Sequence, residues 1–396
     1  MEHNKLIFSK VPTLRFKQFQ DNWSAKRLSD IAEVVGGGTP DTTDSTLWNG
    51  DIQWFTPTEV GHSKYVSTSI RTISQLGLQK SSAKILPAGS ILLSSRATVG
   101  ECSIAQKDCT TNQGFQSLIP KKSVNNEFLY YLAQTQKRHF IKYASGSTFL
   151  EISNSEIKKT KCAVPSIEEQ TEIATFLSAI DRKIEVQNKI ISKYETLIKG
   201  LSCDYFSKQP NHIAKLKDLI IKGKAGGTPS STVAEYYNGD IPFLSISDMT
   251  KQGKYVEFTE KHISENGLAN SSTWIVPSNS LILSMYASVG LVCINKVPLA
   301  TSQAMFSMVL KDCNMLDYIY YYLNFFRETQ IYRLLETGTQ SNINADTVRD
   351  IEIPFYSNIL VFVKTLQAIE NRLNNEKDML SRLMNLKTYL LSSLFI

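Results

Sequence analysis

Six cysteines (Cys102, Cys109, Cys162, Cys203, Cys293, Cys313) and five histidines (His3, His62, His139, His212, His262) are the side chains of this 396-residue sequence best suited to metal or nucleophilic chemistry. Their spacing serves neither. A structural zinc needs four ligands in paired spacings, and here no C-x-x-C pair occurs and the histidines do not cluster with the cysteines. Reduced, mostly buried thiols are the expectation. Other catalytic signatures are missing too: no G-x-x-x-x-G-K-[ST] phosphate loop, no G-x-G-x-x-G opening a helix, no G-x-S-x-G elbow and no H-E-x-x-H. The Asn-Pro-Pro-aromatic string of amino-methyltransferases is absent, and Pro40-Asp41 has no Glu-x-Lys following at nuclease spacing. The side chains are those of a protein that binds and positions.

What the chain does carry is a set of short polar strings, each written twice. Gly37-Gly38-Thr39-Pro40 returns as Gly226-Gly227-Thr228-Pro229, and Trp48-Asn49-Gly50-Asp51-Ile52 as Tyr237-Asn238-Gly239-Asp240-Ile241. SSRATVG (Ser94–Gly100) returns as SMYASVG (Ser284–Gly290), and Thr111-Asn112-Gln113 as Thr301-Ser302-Gln303. The offset stays between 189 and 191 residues. A period of that length is a duplicated domain, not a solenoid repeat. Two like domains in one chain imitate a twofold-symmetric dimer, suited to reading two separated sites on one long ligand.

The elements that must hold these strings are short. Ile52–Phe55, Ile85–Pro87 and Ser90–Leu93 are β-rich runs set off by Gly, Pro, Asn and Asp, and the Asn-Gly-Asp strings read as turns leading into strands. A helical stretch is expected at about 127–143, with a counterpart at 316–335. The aromatics Trp54, Phe55, Phe243 and Trp274 are assigned to cores. Each copy is thus a mixed α/β (α+β) unit, large enough to bury its own core. No apolar run approaches the roughly 18 residues of a membrane span, and the polar start MEHNKLIFSK lacks a signal-peptide core, so a cytoplasmic protein is expected. Net charge is +6 overall, but +7 over residues 1–166 and −2 over 211–354. That balance permits nucleic-acid binding without demonstrating it.

Each unit runs into a long heptad helix. Pro165-Ser166-Ile167-Glu168-Glu169 offers a capping box, Ser166 as N-cap and Glu169 three residues on. Ile173, Leu177, Ile180, Ile184, Gln187, Ile191, Tyr194, Ile198, Leu201 and Tyr205 then follow 4-3 spacing. Adding 189 gives Phe362, Leu366, Ile369, Leu373, Glu376, Leu380, Leu383, Lys387, Leu390 and Leu394. One seam is therefore written twice, with a polar residue at the same step (Gln187, Glu376), as in a coiled coil whose register is specified. The second helix has no capping-box glutamate and puts Lys387 in the seam, an end that frays or meets a partner. Ile167, Phe176, Ile190 and Leu197 would flank the seam as apolar surface. The division expected is 1–164 first globular domain, 165–208 central helix, 209–355 second globular domain and 356–396 C-terminal helix.

The string PSIEEQTEIATFLSAIDRKIEVQNKIISKYETLIKGL (Pro165–Leu201) closely resembles the central helical region of Type I restriction-modification specificity subunits. Val11–Pro40 looks like the start of the same proteins, and LKTYLLSSLF (Leu386–Phe395) is similar to their C-terminal ending. The resemblance covers essentially the whole chain, in the order recognition domain, helix, recognition domain, helix. It implies two target-recognition domains, each reading half of a bipartite double-stranded DNA site. It also implies an antiparallel helix pair that sets the gap and docks two methyltransferase subunits, with restriction subunits where present. S-adenosylmethionine, Mg and ATP would belong to those partners, none to this chain. A seam of 33 residues at about 1.5 Å each spans roughly 50 Å, or at most about 15 base pairs. The reading from another class is a scaffold whose two similar domains bind protein or glycan; steep salt dependence of DNA affinity separates the two.

On the DNA reading, base edges need Arg, Lys, Asn, Gln, Ser or Thr presented from loops or a helix. Candidates are Lys64, Arg71, Lys80, Lys84 and Arg96 in the first copy, and Lys222, Lys224, Lys251, Lys254 and Lys261 in the second. Arg96 stands out because it lies inside a repeated string and arginine can grip guanine with two hydrogen bonds. Its counterpart is Tyr286, so the half-sites should differ there. Gly37, Gly38 and Thr39, with Gly226, Gly227 and Thr228, could bring backbone amides to a phosphate or form a plain turn.

Overall fold

Short runs rich in Ile, Leu, Val and aromatics, broken by Gly, Pro and Asn, favour brief strands. The computed structural model describes residues 11–146, 150–334 and 342–396, and such strands form in it twice over. In the first copy a five-stranded sheet runs in the order Ala32–Gly36, Gln116–Pro120, Ile91–Leu93, Cys102–Ala105, Tyr65–Val66. A three-stranded sheet runs Arg71–Ile73, Trp48–Phe55, Cys109–Thr111, and Ser24–Arg27 pairs with Lys161–Val164. The second copy repeats all three: Ile220–Ala225, Met305–Leu310, Leu281–Ser284, Val292–Asn295, Tyr255–Val256; then Lys261–Ile263, Tyr237–Leu244, Ala300–Thr301; then His212–Lys215 with Glu352–Phe355. Parallel pairs (Tyr65–Val66 on Cys102–Ala105, Trp48–Phe55 on Cys109–Thr111) mix with antiparallel ones. The class is α+β.

The Asn-Gly-Asp strings turn out to lie inside a strand. Trp48 and Ile52 both pair with Ile73, so the residues between them bulge, and Tyr237 and Ile241 do the same on Ile263. Asn49 and Asn238 take φ of 60° and 58°, which asparagine tolerates. A Cβ on Gly50 or Gly239 would stand 2.5 Å from the Cα of Ser74 or Ser264. The helical stretch expected at 127–143 is two helices, Asn126–Thr135 and Lys137–Tyr143. Its counterpart is Leu316–Thr329 followed by a 3-10 turn, Ile331–Arg333. Leu335, where that expectation ended, lies outside the described residues, as does MEHNKLIFSK.

The long helices span Ile167–Phe206 and Ile359–Leu394. Two compact units are drawn across them: one runs through Asn188 and takes Asp378–Ile396, the other is Lys189–Lys377. Within the first, Leu14 N donates to Ser393 O at 3.0 Å while the adjacent Arg15 binds Glu169, and further along Lys387 meets Asp181 at 2.7 Å. Within the second, Tyr205 stacks on Phe362 at 3.8 Å between ring centres and Lys377 meets Glu195 at 2.9 Å. As residue numbers rise along one helix of each pair they fall along the other, so each unit holds an antiparallel helix pair.

Every seam position, from Ile173 to Tyr205 and from Phe362 to Leu394, is buried or half-buried, among them Gln187, Ile191, Ile369, Leu373, Glu376 and Leu380. In the first unit one core joins sheet (Ile91, Leu93, Ile104, Leu118), short helix (Phe128, Leu129, Leu132) and helix pair (Ile173, Leu177, Ile180, Leu390, Leu394), with Ile184 packed against it. The second unit matches it, with Leu281, Leu283, Ile294, Met308, Ile319, Leu323, Phe362 and Leu366. Truncating a fully buried leucine such as Leu177 costs about 2–5 kcal/mol in such a core.

Two features differ from the sequence reading. Only half of the capping box forms: Glu169 N donates to Ser166 Oγ at 3.4 Å, but the Glu169 carboxylate takes Nε and Nη2 of Arg15, both at 2.8 Å. A buried carboxylate gains more from a two-pronged guanidinium than from one backbone amide. Lys387 does not leave a frayed end, because Asp181 receives its ammonium.

Candidate nucleic-acid interface

The repeated strings, far apart in sequence, meet in one loop cluster in each copy. In the first, Gly38 N donates to Thr111 O at 2.9 Å and Thr39 Oγ1 donates to Gln113 Oε1. Ser95 N donates to Gly114 O at 2.8 Å, so the SSRATVG loop lies against the TNQ loop. Trp54 Nε1 holds Gly38 O from the core side at 2.9 Å. The second copy repeats the construction: Gly227 N to Thr301 O at 2.9 Å, Thr228 Oγ1 to Gln303 Oε1, Met285 N to Ala304 O at 2.7 Å. Its Tyr237 hydroxyl, in place of Trp48, reaches Pro229 O at 2.7 Å.

The glycines explain the packing. A Cβ on Gly37 or Gly226 would lie 2.0 Å from a carbonyl oxygen, of Asn112 or Thr301, so backbone passes directly over backbone. The amides of Gly38, Gly226 and Gly227 are spent on carbonyls, which makes these strings turns that hold loops together rather than an anion cradle.

The loop between Ser94 and Gly100 is tight. Gly100 N returns to Ser94 O at 2.9 Å and Gly290 N to Ser284 O at 2.8 Å. Ala97 takes φ 63°, while Ala287 and Ser288 take 38° and 56°. Non-glycine residues held at positive φ carry strain that surrounding structure must maintain, and such strain gathers at working sites. These loops push Arg96, Ala97 and Thr98 into solvent in one copy and Tyr286, Ala287 and Ser288 in the other. Gln113 and Gln303 are exposed beside them. Arg96 Nε stands 3.8 Å from Glu151 Oε2, both side chains nearly half exposed.

A second matched construction lies inside each unit, and it takes up two residues first assigned to the surface. Lys64 Nζ donates to Glu127 at 3.0 Å, Tyr131 Oη at 3.1 Å and Ser178 Oγ at 2.6 Å. Lys254 Nζ meets Asp317 at 2.7 Å, Glu370 at 2.6 Å and Tyr321 Oη at 2.8 Å. Tyr131 Oη donates to Asp181 and Tyr321 Oη to Glu370, each at 2.5 Å. Tyr65 and Tyr255 donate to the Glu127 and Asp317 carboxylates, and Gln367, the counterpart of Ser178, donates to Asp317 at 2.7 Å. With three donors each engaged and side chains only 11 % and 10 % exposed, neither ammonium faces a ligand. Burial pulls the Lys64 ammonium below its usual value, against the hydrogen bond and charge of Glu127. Burial pulls Lys254 the same way, but Glu370 and Asp317 together outweigh it and hold the group above its usual value.

Residues 20–196 and 210–377 match the Type I restriction modification DNA specificity domain, one match over each copy. The chain belongs to that family. It is 36% identical over 253 residues to the Type I restriction enzyme MjaIX specificity subunit of Methanocaldococcus jannaschii, covering 58% of this chain and 59% of that one. The chain thus spans about three fifths of the length of the curated relative it matches. In fold it is similar to a Type-I restriction-modification system S subunit from M. genitalium, at TM-score 0.58 and 16% identity, over 98% of this chain and 99% of that one. A second solved chain, described under complex assembly and conformational transition of the type I R-M system, superposes at TM-score 0.60 and 14% identity, over 93% and 96%.

Across the two specificity domains the remaining candidate cations sort by whether they have a counterpart. Arg71 and Lys261 match, both at the start of the outer strand of the three-stranded sheet and both exposed. Arg71 lies 3.5 Å over the Trp48 ring. Lys80 and Lys84 are exposed and bracket Ser82 and Ala83, the neighbours of Gly38, whereas the second copy has Asn270 and Trp274 there. Lys222 and Lys224 project from the edge strand Ile220–Ala225, Lys222 4.0 Å over the Trp274 ring, where the first copy has Glu33 and Val35. Lys251 is exposed and paired with Glu260. Trp54, Phe55, Phe243 and Trp274 are buried in cores. Gln113 and Gln303, exposed on the same loop faces, are not among the sequence candidates although their strings are repeated; recurrence of a glutamine next to a turn is the signal that marks them. Among the described residues no group of His, Cys, Asp and Glu side chains is placed to hold a metal, and no helix is long and apolar enough to cross a membrane.

Proposed function

We propose that this chain reads a bipartite double-stranded DNA site, one half through each loop cluster, as the specificity subunit of a Type I restriction-modification complex. One observation carries the reading. Two domains of the same construction gather the same repeated strings into one exposed polar loop face each, and the exposed side chains differ between them. Arg96 stands where the other copy has Tyr286 and Lys80 where it has Asn270, while exposed Lys84 has the buried Trp274 as its counterpart. That is what two half-sites of different sequence require: like scaffolds presenting unlike donors and acceptors to base edges.

In this reading Arg96, Thr98 and Gln113 read bases in the first half, and Tyr286, Ser288 and Gln303 in the second. Arg71, Lys80, Lys84, Lys222, Lys224 and Lys261 hold phosphates and fix register without reading sequence. The helices carry two methyltransferase subunits, with restriction subunits where present; this chain itself is non-catalytic. S-adenosylmethionine, Mg and ATP are taken up by those partners.

The test is adenine methylation across the host genome with the gene intact and deleted. Loss of one bipartite motif with a fixed gap on deletion supports the reading. Exchanging the first specificity domain for that of a relative should then change one half of the motif only. A motif unaffected by deletion in cells making the methyltransferase, or an exchange that alters both halves, would overturn it.

A further inference from the structure

The buried lysine of each copy joins three elements by directed hydrogen bonds that apolar packing does not supply. Lys254 sits in the turn before strand Tyr255–Val256, Asp317 and Tyr321 on the short helix Leu316–Thr329, and Glu370 and Gln367 on the long C-terminal helix. Lys64, Glu127 with Tyr131, and Ser178 with Asp181 occupy the same three elements of the first unit. Five further positions repeat with each lysine at offsets of 189 or 190: Tyr65/Tyr255, Glu127/Asp317, Tyr131/Tyr321, Ser178/Gln367 and Asp181/Glu370.

Stability does not explain such a cluster. Desolvating a lysine and two carboxylates costs so much that well-packed apolar residues usually hold a core as firmly. What charge-assisted hydrogen bonds add is direction, since they weaken steeply off axis. The core around each hub is made of Leu, Ile, Tyr and Phe contacts, which have no preferred direction of their own. Turning the sheet about the long helix would lengthen or misalign at least one of the three bonds of the ammonium, because their acceptors stand on different elements.

We propose that Lys64 and Lys254 are positioning residues: each locks its specificity domain at one angle on its helix pair, and so fixes the gap between DNA half-sites rather than the bases in either. This rests on the bipartite-DNA reading above. A domain free to swing presents its loop face over a range of positions along the duplex, so base recognition survives and spacing does not.

The experiment co-expresses the chain with its cognate methyltransferase subunits in a host without methylation of its own and maps every methylated adenine. The wild type comes first: absence of any bipartite motif overturns the functional reading and this inference with it. The variant is Lys254→Met with Asp317→Asn and Glu370→Gln, which removes the directional lock and leaves no buried charge unpaired. Both half-site sequences should stay as in the wild type. Sites whose gap is a single base pair longer or shorter should gain methylation, lowering the ratio of correct-gap to shifted-gap sites by roughly tenfold or more, given that an ångström of misplacement can cost up to a hundredfold in rate. A folded variant with the wild-type ratio, or one with altered half-site bases, overturns the inference. Should the triple variant fail to fold, Tyr321→Phe decides. It keeps the packing and removes one hydroxyl from the network, and its gap ratio should fall measurably; an unchanged ratio overturns the proposal.

Discussion

Lys64 and Lys254 keep the same company 190 residues apart, down to the tyrosine beside each and the acid on each short helix. Arg96 and Tyr286, at matching tips of matching loops, share nothing but the backbone that carries them. The difference follows from what a change costs in each place. In a buried polar network every donor and acceptor must stay paired, and an orphaned charge or hydroxyl costs one to several kcal/mol. At an exposed loop tip most substitutions fall within about 0.5 kcal/mol. The interior is therefore held to closely matching networks while the surface is free to differ.

The hubs are not identical, and that is where the comparison breaks most readily. In the first unit Lys387 adds a second ammonium, so two cations face Glu127 and Asp181. Its counterpart is Ile198, so Lys254 alone serves both Asp317 and Glu370. Lys254→Met should cost about 3–5 kcal/mol, the usual result of leaving buried carboxylates without their partner. Lys64→Met should cost about 1–3 kcal/mol, because Asp181 keeps Lys387 and Tyr131 while Glu127 keeps Tyr65 and Ser178. Urea melts of the two variants measure the difference; equal losses would mean that Lys387 gives the first hub no support.

Where the copies agree, equal effects are expected. Gly37→Ala and Gly226→Ala each drive a methyl group to 2.0 Å from a backbone oxygen, which cannot yield as a side chain would. Each should lose about 1–3 kcal/mol or more. A large loss at one site and none at the other, read by thermal denaturation, would show that the two loop clusters are built differently.

Much of this was legible in the chain. The duplication, both heptad seams and the four-part order follow from recurrence and periodicity, signals that are local and need no partner. The hubs were not read, although Lys-Tyr-Val at 64–66 and 254–256 and Tyr-Tyr at 130–131 and 320–321 also recur. A lysine in a polar stretch looks like surface until tertiary contacts bring an acid from a helix more than a hundred residues away. The Asn-Gly-Asp strings misled for a related reason: the pairing partner that makes them a bulge, Ile73 or Ile263, lies outside their local window. The glycines of Gly-Gly-Thr-Pro were open between turn and anion site until the carbonyls spanning them were in place.

At the loop tips the effects should appear in recognition and not in stability. Arg96→Ala should leave the melting temperature close to wild type and relax one base position of one half-site, by about 1–3 kcal/mol of discrimination if Arg96 grips a guanine. Tyr286→Ala should touch only the other half-site. Methylation mapping of both variants checks this. Uniform weakening across all sequences, with a shallower salt dependence, would instead make Arg96 a phosphate contact.

The smallest effect expected is the pH dependence of the two hubs, and its sign differs between them. Lys254 has its folded pKa raised by Glu370 and Asp317 against burial, so its contribution is complete below the unfolded value near 10.4 and fades as pH climbs through the folded value. Lys64 is shifted the other way, burial prevailing, so its contribution grows as pH rises from its folded value toward about 10.4. On the acid side both copies behave alike. Glu127 and Asp317 are held below their ordinary values by hydrogen bonds and by Lys64 and Lys254, with burial opposing, and each loses its contribution as pH falls through the folded value. Buried tyrosines such as Tyr131 and Tyr321, raised chiefly by burial, add an alkaline loss common to both units, so the informative quantity is wild type minus variant. That difference should shrink above roughly pH 10 for Lys254→Met. For Lys64→Met it should not shrink over the same range. Parallel curves would mean that the second acid on Lys254 does not outweigh its burial, and the contrast between the hubs would then reduce to Lys387 alone.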